Sequence, residues 1–160
     1  MSRFIRHAWV ALVLIGCVGC DQLAKSAARE YLPGTGVHSF ASDTFRLQYA
    51  QNPGAFLGLG DSLSPTARYG TLIVGVGCFV VTLLAWAMFS SRLTWLQRVA
   101  LAAVGAGGAG NLIDRVRFDG AVTDFLNLGV GSLRTGIFNV ADTLVMLGAI
   151  VLLISFRARS

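Results

Sequence analysis

The sequence predicts an all-α integral membrane protein with four transmembrane helices, and three observations carry that expectation. The 160 residues are 54% hydrophobic and only 13% charged, against roughly 25% charged in soluble domains. The mean hydropathy is +0.66. The apolar residues fall into four blocks, each close to the ~20 residues that a bilayer crossing needs. These blocks are about 8–28, 69–89, 96–113 and 137–156, and together they make one membrane-embedded domain over residues 1–160.

The first block resembles a lipoprotein leader in one respect. Arg3 and Arg6 precede an apolar run ending in Leu14-Ile15-Gly16-Cys17, the pattern of a leader with a lipid-accepting cysteine. A lipoprotein usually carries a soluble domain behind one such segment. Three more apolar blocks follow here, so residues 8–28 are expected to be a retained first helix. Asp21 and Lys25 lie at its far end, four apart and so on one helical face. They either close the helix end as an ion pair or present Lys25 to an anionic head group.

Between the first two helices, residues 29–68 are polar. Thr44-Phe-Arg-Leu-Gln-Tyr-Ala-Gln51 alternates apolar and polar residues, as a half-exposed strand does. Pro33, Gly34, Gly36, Pro53 and Gly54 punctuate the segment as turns. The link Ser90–Arg98 is brief, as suits a tight connection between the second and third helices. Within the third, Gly105-Ala-Gly107-Gly-Ala-Gly110 matches the dinucleotide fingerprint, but that motif needs a preceding strand. Inside an apolar block the small residues are expected to permit close helix packing instead. Asn111, Asp114 and Arg115 end this helix within about one turn of one another and point to one cluster. Residues 114–136 form a second polar segment, in which Ala121-Val-Thr-Asp124-Phe-Leu is a candidate strand.

The thirteen Lys and Arg residues give orientation. Arg3, Arg6, Arg92, Arg98, Arg157 and Arg159 crowd short segments at helix ends, where the positive-inside bias acts most strongly. Both termini are therefore expected inside, with residues 29–68 and 114–136 outside. Cys17, Cys20 and Cys78 have no histidine partners in their spans, and His7 and His38 are isolated, so no zinc or haem set is expected. The pI near 9.7 comes from arginines at helix ends, with no nucleic-acid motif.

Two aspartates stand out. Asp142 lies inside the last apolar block, three residues after Asn139, and Asp124 lies in the short segment before it. An acid within a membrane span is costly and marks a functional candidate. Two close carboxylates share a proton, because both cannot ionise readily. The ionised member can draw a proton from water, and the protonated member can polarise a peptide carbonyl, as in aspartic proteases. Spacing alone does not say which aspartate is the base. A proton-coupled transporter is the competing expectation, with Asp142, Asp114 and Arg115 as a relay. It fits less well because the polar residues gather at one end of the spans.

Five segments in order, Asp21-Gln-Leu-Ala-Lys25, Asn52-Pro-Gly54-Ala-Phe56, Gly110-Asn-Leu-Ile-Asp-Arg115, Gly120-Ala-Val-Thr-Asp124-Phe and Phe138-Asn-Val-Ala-Asp142, resemble those of the bacterial lipoprotein signal peptidases, the type II signal peptidases. The resemblance implies four membrane helices with a small extracytoplasmic β-cradle. It implies an aspartic endopeptidase without cofactor or metal, monomeric in the cytoplasmic (inner) membrane, acting near the outer face. Its partners would be membrane lipid and diacylglyceryl-modified prolipoproteins, cut just before the modified cysteine. The catalytic residues of the family fall on Asp124 and Asp142. Its supporting residues fall on Asp21, Lys25, Asn52, Gly54, Asn111, Asp114, Arg115, Asn139 and Ala141. Many members read Asn-x-Gly-Ala-Ala-Phe, whereas here only Ala55 separates Gly54 from Phe56, which bears on the loop register and not on the aspartates. The Gly and Pro content of residues 29–68 suggests a segment that lies over the site and moves to admit substrate.

Overall fold

A computed structural model describes residues 3–54 and 64–157. It is mostly helical, with a small antiparallel sheet. The chain runs α1 (Arg3–Tyr31), β1 (His38–Phe40), β2 (Phe45–Asn52), α2 (Pro65–Tyr69), a π-helical turn (Gly70–Gly75), α3 (Val76–Phe89), α4 (Trp95–Arg117), β3 (Val122–Val130), β4 (Leu133–Arg134) and α5 (Val140–Arg157). Ala55 and Phe56, part of the second matched segment, and residues 55–63 of the expected covering segment lie outside the described residues.

Three helical stretches are long and apolar enough to cross a membrane: His7–Tyr31, Gly70–Phe89 and Val140–Arg157. The expected fourth span, 96–113, does not join them by length and composition, although α4 is 23 residues long. The reason is position. α4 packs against α1, α3 and α5, so its Ala and Gly residues meet other helices. Gly107 lies so close to α5 that an added Cβ would stand 2.4 Å from the Ala141 carbonyl oxygen. At Gly110 a Cβ would stand 2.5 Å from Asp21 Oδ2 of α1. The glycine run is thus a packing surface, as the apolar context implied.

At one end of the bundle, Thr94 and Gln97 form a capping box that starts α4. Arg98 is buried there and donates to the carbonyls of Ala87 and Ser90, which closes the end of α3. Aromatic pairs gather at the same end: Trp9 with Trp95, Trp86 with Phe156, and His7 with Phe89.

The sheet sits at the opposite end in the order β1-β2-β3-β4. Two of its strands answer to the sequence pattern, β2 on the alternating run and β3 on the segment around Asp124. β3 continues to Val130, beyond the expected Leu126. Asn52 pairs with Val122 and Ala50 with Asp124, so the start of β3 is held against the end of β2. Arg29 at the end of α1 ties the sheet to the helices. It donates to Thr123 Oγ1 at 3.0 Å, lies 3.7 Å from Asp114 and stacks over Phe118 at 4.7 Å.

Candidate active site

The last helix begins later than its apolar block. Asn139 precedes it, accepts the backbone N–H of Asp142 on Oδ1 at 2.9 Å, and donates its own backbone N–H to Asp142 Oδ2 at 3.2 Å. That reciprocal pair is a capping box, built with Asn and Asp. Asn139, expected within the last apolar block, therefore caps α5 from outside it, and Asp142 lies in the first turn. Asp21 of α1 adds a second cap, accepting the N–H of Ala141 at 2.8 Å. A carboxylate at a helix N-terminus satisfies an otherwise orphan donor and the helix dipole together.

The two aspartates meet through amides. Asp124 on β3 accepts from Asn139 Nδ2 at 2.6 Å and from Asn52 Nδ2 at 2.9 Å, one on each oxygen. Asp142 accepts from Asn111 Nδ2 at 2.9 Å and from the Asn139 N–H. All three amide orientations follow from partners that only donate. The Gly54 N–H occupies Asn52 Oδ1, the Asp142 N–H occupies Asn139 Oδ1, and the Lys25 ammonium occupies Asn111 Oδ1 at 2.7 Å. Each of the four carboxyl oxygens therefore receives an N–H donor and keeps a lone pair for other use.

Behind this pair lies a buried polar layer. Lys25 is fully buried, 2.9 Å from Asp21 and 3.6 Å from Asp114. Asp114 also accepts from the Thr123 N–H at 2.9 Å and from Gln22 at 3.2 Å. Arg115 donates to the Gly54 carbonyl at 2.8 Å and so holds the loop that carries Asn52. The site residues expected from sequence are thus brought together in one network, from Asp21 to Asp142. Gln22, Arg29 and Thr123 also belong to it and were not among them. Gln22 and Arg29 lie three residues before and four after Lys25, spacings that share a helical face with it.

Burial pushes the Asp124 carboxyl up to about 6 from its ordinary 3.8. The hydrogen bond from Asn52 opposes this, the charge of Asp142 adds to it, and Asn139 and Lys25 pull the other way. Between about pH 4 and 6 the folded chain then binds more protons here than the unfolded chain. Its stability falls as pH rises through that window, by on the order of 2–3 kcal/mol for this one group. Thermal unfolding in lipid is expected to show a loss of stability across this window that is shallower in Asp124→Asn. An equal slope in both proteins would contradict the shift.

Beside Asp142 a cavity of about 540 Å³ opens between α3, α4 and α5. Val76, Phe79, Val80, Val104, Val145 and Met146 make most of its wall, and Asn111, Arg115 and Asp142 line it as well. A second cavity, of about 430 Å³, lies beside Arg115 among Tyr69, Ile73 and Val116.

The family model for signal peptidase (SPase) II matches residues 13–157. The chain belongs to that family. It is 32% identical to the lipoprotein signal peptidase of Treponema pallidum (strain Nichols), over 98% of this chain and 87% of the relative. It is 34% identical to that of Streptococcus pneumoniae (strain ATCC BAA-255 / R6), over 94% and 93%. Among solved structures, a bacterial membrane enzyme determined by the in meso method at 2.3 Å superposes with a TM-score of 0.80 at 22% identity, covering 94% of this chain and 88% of that one. Membership of the signal peptidase family supports a peptidase, and the apolar helices indicate a membrane protein.

Proposed function

We propose that this chain is a membrane aspartic endopeptidase. It removes the signal peptide from diacylglyceryl-modified prolipoproteins by cleavage just before the lipid-modified cysteine, with Asp124 and Asp142 as the catalytic pair. The observation that carries this is the pair itself. Two carboxyl groups, each clamped by two N–H donors, share Asn139 as a common donor, and Asp142 lines an apolar cavity.

The mechanism follows from the wiring. The pair shares one proton, which belongs to both groups and not to a named one. The ionised carboxylate takes a proton from water as the water oxygen attacks the scissile carbonyl. The protonated partner donates to the carbonyl oxygen as it becomes tetrahedral. The C–N bond then breaks: the leaving amine takes a proton from one carboxyl, and a hydroxyl of the tetrahedral centre returns its proton to the other, which restores the shared proton. Asn52, Asn111 and Asn139 orient the carboxyl groups. Asp21, Lys25, Asp114, Arg115 and the backbones of Gly54 and Ala141 hold those amides and helix ends in place.

The membrane setting supports the same reading. α4 crosses as the fourth span, shielded from lipid by its neighbours. The Trp-rich end marks one membrane interface, and Tyr31 stands roughly 33 Å further along α1, close to the thickness of a hydrocarbon core. On this reading the aspartates lie near the opposite interface, which we assign to the outer face of the bacterial cytoplasmic membrane, with both termini inside. A signal peptide entering sideways from the bilayer would occupy the cavity between α3 and α5 in a monomer.

Ala149 lines that cavity. Ala149→Trp is expected to raise KM for a modified prolipoprotein about ten-fold, on the order of 1.4 kcal/mol, with kcat kept. An unchanged KM would remove the cavity from substrate binding. The direct test of the function uses purified chain in lipid with a prolipoprotein in modified and unmodified forms. Signal-peptide release from the modified form alone is expected. Release from neither form by folded chain would end the proposal.

A further inference from the structure

The largest fully buried side chain among the described residues is a lysine. Lys25 Nζ lies 2.9 Å from Asp21 Oδ2 and 2.7 Å from Asn111 Oδ1, with Asp114 Oδ2 further off at 3.6 Å. An ion pair would close the end of α1 without touching the site. The contact to Asn111 does more, because the other end of that amide donates to Asp142.

We infer that Lys25 is a positioning residue for Asp142: by claiming the carbonyl oxygen of Asn111, it compels that amide to present its N–H to the carboxylate. The two ends of an asparagine amide are nearly the same size, so sterics do not choose between them. Hydrogen-bond partners choose. Asn111 Oδ1 has one other donor, Asn139 Nδ2 at 3.1 Å, but that group also donates to Asp124 at 2.6 Å and approaches the Thr123 carbonyl at 3.4 Å. The ammonium is the short, charge-assisted contact, and such bonds are roughly twice as strong as neutral ones. Without it, Asn111 is free to turn its oxygen toward Asp142, where two acceptors would face each other.

The sequence of contacts therefore runs from α1 through α4 to α5: Lys25, Asn111, Asp142. Asp21 stands at both ends of it, paired to Lys25 and capping the helix on which Asp142 sits. This accounts for a charged residue buried where an apolar one would otherwise serve.

Lys25→Met alone would leave Asp21 buried beside no cation, so the test is made in the Asp21→Asn background, which keeps an acceptor for the Ala141 N–H. The inference rests on the peptidase reading for its kinetic arm only. Adding Lys25→Met to Asp21→Asn is expected to lower kcat about 10- to 100-fold while KM stays in place. Asn111→Ala in the same background should cost a similar factor, and Lys25→Met should then cost nothing further. Losses that multiply, or an unchanged kcat, would overturn it. The second arm needs no activity. The infrared band of the Asp142 carboxyl, identified by its absence from Asp142→Asn, should move when Lys25→Met joins Asp21→Asn, and should not move once Asn111 is Ala. A chain that cleaves no prolipoprotein but shows the shift loses the peptidase reading and keeps this one; a band that stays put in both backgrounds overturns the positioning role.

Discussion

Replacing either Asp124 or Asp142 by Asn is expected to slow signal-peptide release by about a thousand-fold or more, within the range assigned to positioned acids and bases. Asn keeps the size of Asp but has one acceptor where the carboxylate has two. At position 124 it faces Asn52 Nδ2 and Asn139 Nδ2, both held as donors, and at position 142 it faces Asn111 Nδ2 and the Asn139 N–H. One N–H would then meet another, at a cost of about 1–3 kcal/mol in stability. The helix still starts, because the Asn139 side chain and Asp21 continue to cap α5. Loss of rate in a folded protein is therefore the outcome to look for, by single-turnover cleavage beside a thermal unfolding scan. The double variant should be no slower than the worse single one, since residues acting as a unit are not additive.

The second large effect comes from a single methyl group. Gly107→Ala places a Cβ 2.4 Å from the Ala141 carbonyl oxygen and 2.8 Å from Val145 Cγ2. The nearer contact is backbone, so it cannot swing away, and the helix that carries Asp142 must shift. Overpacking of this kind costs about 1–3 kcal/mol or more, and a displacement of even ~1 Å at the site can cost two orders of magnitude in rate. Gly19→Ala is the matching control, because a Cβ there meets nothing within 4 Å. Unfolding temperature and cleavage rate should both fall for Gly107→Ala and hold for Gly19→Ala. Equal behaviour of the two variants would contradict the close α4–α5 contact.

Much of the site was legible because charge inside apolar sequence has few explanations. Asp21, Lys25, Asn111, Asp114, Arg115 and Asp142 interrupt or end hydrophobic blocks, and the structure joins them in one network. The glycine run of α4 was legible for the same reason, since its surroundings excluded a strand. The beginning of α5 was not. Spacing of three fits two residues on one helical face and equally a cap with its partner, and only the backbone separates the two. α4 was expected as a span from its apolar stretch, but it does not join the three helices that are apolar enough to cross alone, because its Ala and Gly residues meet neighbouring helices. β1 and β4, of three and two residues, are too short to leave a periodic pattern. Thr123 and Arg29 take their place through contacts between distant segments, which no local signal records.

The measurement that bears most directly on the account is the product of one prolipoprotein, diacylglyceryl-modified, incubated in lipid with native chain and with Asp124→Asn, and read by mass spectrometry. Native chain is expected to release a peptide ending immediately before the modified cysteine, and the variant none on the same timescale. A cut elsewhere, or the same cut at near-native rate in the variant, would contradict the assignment of this carboxyl pair as the catalytic centre.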